Sequence, residues 1–67
     1  MQNVTAELEA MIDAHGLTHV LTGLSLVCAE KAEHIRANWQ DRITAKPWDK
    51  ASNEIEQLAR KVAALGI

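Results

Sequence analysis

From Trp48 to Leu65 the apolar residues fall at Trp48, Ala51, Ile55, Leu58, Val62 and Leu65, spaced three or four apart. On a helix that spacing draws one continuous seam, with Asp49, Lys50, Asn53, Glu56, Gln57, Arg60 and Lys61 on the opposite side. A seam of this kind must be covered by the rest of the chain, by a second copy or by another molecule. With 67 residues the chain makes one domain at most, and a domain this small buries only roughly 60% of its unfolded surface. Disulfides, metal or self-association normally support such a fold. Cys28 is the single cysteine, so no internal disulfide forms, and no zinc-ligand spacing is present. Self-association is the support that remains.

Two further helices precede this one. Val4, Leu8, Met11 and Ile12 give an apolar side to a first helix over about residues 5–14. Asn3 or Thr5 can cap it, Glu7 and Glu9 suit the positive end of its dipole, and His15-Gly16 ends it. Thr18 is a plausible cap for a second helix over about 18–40, whose stripe is Leu17, Leu21, Leu24, Cys28, Ala32, Ile35 and Trp39. The first half of that helix is apolar or small nearly all round, with Leu26 opposite the stripe and Gly23 suited to a close helix crossing. After a connection at Asp41 to Lys46, Pro47 opens the third helix, over about 47–65, where its missing N–H has no partner to lose. Glu56 and Arg60 form an i,i+4 pair.

The expected fold is therefore all-α, one domain over residues 1–67. A short N-terminal helix lies across an antiparallel hairpin of two longer helices, and two such chains pair into a helical bundle. Leu21, Gly23, Leu24, Leu26, Cys28, Ile35, Trp39, Trp48, Ile55, Leu58 and Val62 are expected in the core or the dimer interface, with the two tryptophans as plugs at the open end of the hairpin.

Catalytic and metal chemistry find little to stand on. Glu30 and His34 share a helical face, but carboxylate-bridged bundles use Glu-x-x-His, which this is not. His15 and His19 are separated by the break at Gly16 and should not share a face. Cys28 sits on an apolar stripe, where a thiol packs as a small inert hydrophobe. There is no Gly-rich phosphate loop, C-x-x-C or H-E-x-x-H. No enzyme activity, metal or cofactor is expected.

Net charge is −2, unevenly spread: residues 1–30 carry Glu7, Glu9, Asp13 and Glu30 with no Lys or Arg, while 31–67 carry seven basic and five acidic side chains. That asymmetry can orient a partner or an antiparallel copy, yet it falls short of a basic nucleic-acid footprint. Lys31, His34, Arg36, Arg42 and Lys46, interleaved with the tryptophans, form the candidate partner surface. No basic-then-apolar leader run is visible, and Leu17–Ala29 is too short and too broken by polar residues to span a bilayer. A lone thiol suits a reducing compartment, so a cytosolic protein is expected.

The run His15-Gly16-Leu17, Val20-Leu21, Val27-Cys28, Glu30-Lys31-Ala32-Glu33-His34-Ile35-Arg36 and Asn38-Trp39-Gln40-Asp41 resembles that of a group of short bacterial helical proteins. The resemblance covers about half of the chain and implies a helical fold; it brings no activity or site residue with it. The expected function is that of a small regulator, adaptor or inhibitor working through protein–protein contacts. The rival expectations are an RNA-binding hairpin dimer using Lys31, Arg36, Arg42 and Lys46, an inhibitor of a host system encoded by a phage or mobile element, and a metal or small-ligand bundle that would depend on Glu30 and His34.

Overall fold

The computed structural model describes residues 3–67, and for Trp39 the backbone alone. Among these residues there are three helices and no strand: α1 (Val4–His15), α2 (Leu17–Trp39) and α3 (Arg42–Ala63). The two long helices pack closely against each other as an antiparallel hairpin. Its seam does not follow the bulkiest residues. Two small-residue rows at seven-residue spacing meet along it: Ser25 and Ala32 on α2, and Ala45, Ser52 and Ala59 on α3. Ala32 and Ala45 are wholly inaccessible, and Ser25 and Ala59 are buried. Larger residues alternate with them at the intervening heptad positions, Leu21, Cys28 and Ile35 facing Trp48, Ile55 and Val62.

Small side chains let the two backbones approach until serine hydroxyls bond across the gap. Ser25 Oγ donates to the Ser52 carbonyl at 2.8 Å, and Ser52 Oγ donates to the Ser25 carbonyl at 2.8 Å, the two hydroxyls lying 3.2 Å apart. This reciprocal clasp satisfies both hydroxyls inside the contact, where an unpaired one would be costly.

The residues expected in the core or the dimer interface divide by exposure. Leu24, Leu26 and Leu58 are exposed, as is Gly23, so they are not core within the single chain, and of that expectation only a place in a dimer interface is left to them. The physical reason is the seam: alanine and serine, not leucine, set the distance between α2 and α3, and the leucines are turned to the flanks. A Cβ built on Gly23 meets nothing within 4 Å, so no close crossing occurs there within the chain. Leu21, Ile35, Trp48, Ile55 and Val62 are half-buried and Cys28 is buried, while the expected plug Trp39 has its side chain outside the described residues. No large side chain among the described residues is fully buried.

The third helix begins at Arg42, not at Pro47. Asp41 caps it, accepting from the Thr44 N–H at 2.9 Å and from Thr44 Oγ1 at 2.6 Å. Pro47 thus lies inside the helix, where its ring deprives the Ile43 carbonyl of a partner. Ile43 is 85% exposed, so water can satisfy that carbonyl and the helix tolerates the ring. Between α2 and α3 only Gln40 and Asp41 remain. Gln40 takes the left-handed conformation (φ 51°) and its N–H closes α2 on the Arg36 carbonyl at 3.1 Å.

At the other end of the hairpin, Asn3 caps α1 through the N–H groups of Thr5 and Ala6. Gly16 alone joins α1 to α2, at φ 86° and ψ 152°. Thr18 does not cap α2: its hydroxyl is buried without a partner, and its N–H donates to the Ile67 carbonyl at 3.1 Å. That same carbonyl oxygen would lie 3.3 Å from a Cβ at position 16. The chain beyond α3 therefore folds back onto the α1–α2 junction and holds it. As a result α1 does not lie across the hairpin. It comes within 8 Å of α2, Cα to Cα, but nowhere of α3 among the described residues, and none of its residues is buried. His15 and His19, expected apart, come together across the junction with ring centroids 5.7 Å apart.

Two stability tests follow from these contacts. Gly16→Ala places a Cβ where both the backbone angle and the Ile67 carbonyl oppose it; a loss of about 1–2 kcal/mol, or a Tm lower by roughly 5–15 °C at fixed concentration, is expected by thermal circular dichroism. In the clasp, Ser25→Ala should cost only about 1 kcal/mol in urea. Ser25→Leu should cost at least about twice that, because it wedges the backbones apart. Equal costs would mean that the hydrogen bonds, not the close approach, dominate the seam.

Candidate interaction surface

The heptad pattern divides the hairpin into two flanks, and the five candidate partner residues do not share one. On the first flank Lys31 and His34 of α2 meet Trp48 of α3. Lys31 Nζ stands 5.5 Å from the Trp48 ring centroid, a cation–π contact. With Val27, Glu30 and Ile35 these residues line an open cavity of about 450 Å³. His34 Nδ1 lies 3.0 Å from Asn38 Nδ2, which also donates to the His34 carbonyl at 3.0 Å. Nδ1 accepts when the ring proton is on Nε2.

On the second flank Arg36 of α2 joins Arg42 and Lys46 of α3, around a shallow cavity of about 340 Å³ that Ile43 and Asp49 also line. Arg36 is already engaged there. It donates to the Asp49 carboxylate across the hairpin and to Glu33 Oε2 at 3.1 Å along its own helix. The Asp49 hydrogen bond, then that of Glu33, holds its guanidinium above its ordinary range. Far from standing in water, Arg36 is half-buried and ties α2 to α3. Arg42 and Lys46 remain exposed, carried on the first turns of α3 that Asp41 caps.

The largest exposed features are apolar. Val4 (64%) and Met11 (47%) stand out on α1 beside Leu8 and Ile12. On the hairpin, heptad spacing puts Leu24 and Val27 of α2 and Leu58 of α3 on the Lys31–Trp48 flank. Val27 and Leu58 are each about half exposed. Leu26, 60% exposed, belongs to the opposite flank. Val27 lies off the stripe that runs through Leu24 and Cys28. A second stripe, Leu17, Val20, Leu24 and Val27, was its available signal.

Cys28 is a buried free thiol on the seam, away from any cavity described above. Among the described residues no group of three or more His, Cys, Asp or Glu is placed to hold a metal ion, and no helix is long and apolar enough to cross a membrane. Comparison with protein-family models, curated proteins and solved structures gives no significant match.

The α3 cap that presents Arg42 and Lys46 carries a pH dependence. Hydrogen bonds from the Thr44 hydroxyl, then from the Thr44 and Ile43 N–H groups, hold the Asp41 carboxyl below its ordinary 3.8. A carboxyl depressed on folding adds stability above its unfolded value and loses it as pH falls through the folded one. Wild type should therefore melt above Asp41→Asn at pH 7, with the gap closing as the pH is taken below 3.8. A gap unchanged down to pH 2 would show that the charge is immaterial to the cap.

Proposed function

We propose that this is a small non-catalytic interaction protein, a regulator, adaptor or inhibitor that works by presenting a helical surface to other protein chains. One observation carries the reading. The chain exposes 5411 Å² of surface, where a compact monomer of its 7.4 kDa would expose about 4,200 Å². Its radius of gyration is 13.8 Å against about 11 Å for a compact domain of this length. Val4, Leu8, Met11, Ile12, Leu24, Val27 and Leu58 are among the exposed residues, and clustered exposed apolar side chains on a small protein mark a binding surface.

The charges favour protein over nucleic acid as the partner. Of the four cations that an RNA-binding surface would use, Lys31 lies on the opposite flank from Arg42 and Lys46, and Arg36 is held by two carboxylates. A reducing, cytoplasmic setting accords with the buried free thiol of Cys28.

The test is a tagged pull-down from cells that make the protein, with and without nuclease, comparing wild type with Val27→Glu. A stoichiometric protein that survives nuclease and is lost with Val27→Glu is the expected result. Recovery of RNA or DNA, or of a partner that nuclease releases, would overturn it.

A further inference from the structure

We infer that the occupant of this surface is a second copy of the chain, and that α1 of each copy lies across the Leu24–Val27–Leu58 flank of the other. The inference deepens the interaction reading above and rests on it. It begins with α1. A helix of 12 residues standing in water is marginal on its own propensity, and proteins stabilise such helices by packing an apolar side. That side exists here in Val4, Leu8, Met11 and Ile12, at i, i+4, i+7 and i+8, yet α2 covers it only in part and none of the four is buried.

The junction prevents α1 from covering its own hairpin. A single residue, Gly16, connects the helices, and the Ile67 carbonyl that receives the Thr18 N–H stands 3.3 Å from where a Cβ at position 16 would lie. The hairpin meanwhile leaves open an apolar flank in Leu24, Val27 and Leu58, bounded at one end by Lys31 over Trp48. The two unpartnered apolar surfaces of one chain are thus complementary to each other but held apart within it. A two-fold pair of chains joins them twice.

Area and charge support the same arrangement. The surface in excess of a compact monomer, about 1,200 Å² per chain by the scaling used above, exceeds the roughly 800 Å² per partner of a standard stable interface. Charge decides what α1 meets. It carries Glu7, Glu9 and Asp13 with no Lys or Arg, so α1 against α1 would bring like charges together. The Leu24–Val27–Leu58 flank offers α1 the positive charge of Lys31 at its end, whereas Arg36, Arg42 and Lys46 stand on the opposite flank. Leu26 lies on the other flank and takes no part.

Sedimentation equilibrium of the full chain, with far-UV circular dichroism of each variant, tests the arrangement. Wild type at tens of micromolar should have twice the 7.4 kDa mass of one chain. Met11→Glu and Leu24→Glu should each give a single-chain mass, while Leu26→Glu should stay dimeric. Mixing the Met11→Glu and Leu24→Glu chains should restore a dimer. In that pair one interface joins an unaltered α1 to an unaltered flank. A monomeric wild type overturns the inference at once, and needs no variant to fold. A dimer lost with Leu26→Glu but kept with Leu24→Glu, or no dimer on mixing two helical variants, overturns it equally. A monomeric wild type that still captures its partner protein in the pull-down would sink this inference alone and leave the interaction reading standing.

Discussion

The close approach of α2 and α3 governs the rest of the molecule. Rows of alanine and serine repeating every seven residues bring the two backbones near enough for Ser25 and Ser52 to exchange hydrogen bonds with each other's carbonyls. Packing at this distance gains dispersion contact and a satisfied polar pair, but small side chains bury little apolar area each. Bulky residues cannot enter the seam without forcing it open. Leu24, Val27 and Leu58 are therefore displaced to a flank, and the hairpin is tight inside and apolar outside.

That trade explains why no large side chain among the described residues is fully buried. In a larger protein the displaced leucines would meet a further layer of helices. Here the further element is α1, and its exit direction takes it off α2 without reaching α3. The apolar flank follows from the seam, and the junction at Gly16 keeps α1 from covering it.

Much of the helical layout can be read directly from the sequence. The 3.6-residue periodicity, Asn3 before the first helix and Gly16 after it are local signals, and local signals survive any tertiary arrangement. The Glu56–Arg60 pair, 3.1 Å apart in the structure, is of the same kind. Pro47 misled because proline is commonest in a first turn, whereas here Asp41 and Thr44 build a cap strong enough to start the helix five residues earlier. The seam misled for a different reason. Ranking by hydrophobicity picks Leu58 over Ala59 and Leu24 over Ser25, and only the seven-residue recurrence of small residues reveals which side faces the partner helix. The division of Lys31 and His34 from Arg36, Arg42 and Lys46 likewise depends on that register. The direction of α1 is set by the Thr18–Ile67 contact, which no periodicity encodes.

That contact also imposes an order of events. Thr18 and Ile67 stand at the two ends of the hairpin sequence and can meet only after α2 and α3 have closed on each other, a non-local step that comes late because its loop entropy must first be offset by the seam. Until then Gly16 is an unrestrained pivot and α1 can point anywhere. The angle at which the chain offers its first helix is thus a product of completed folding, so a half-folded chain still has no fixed shape to present.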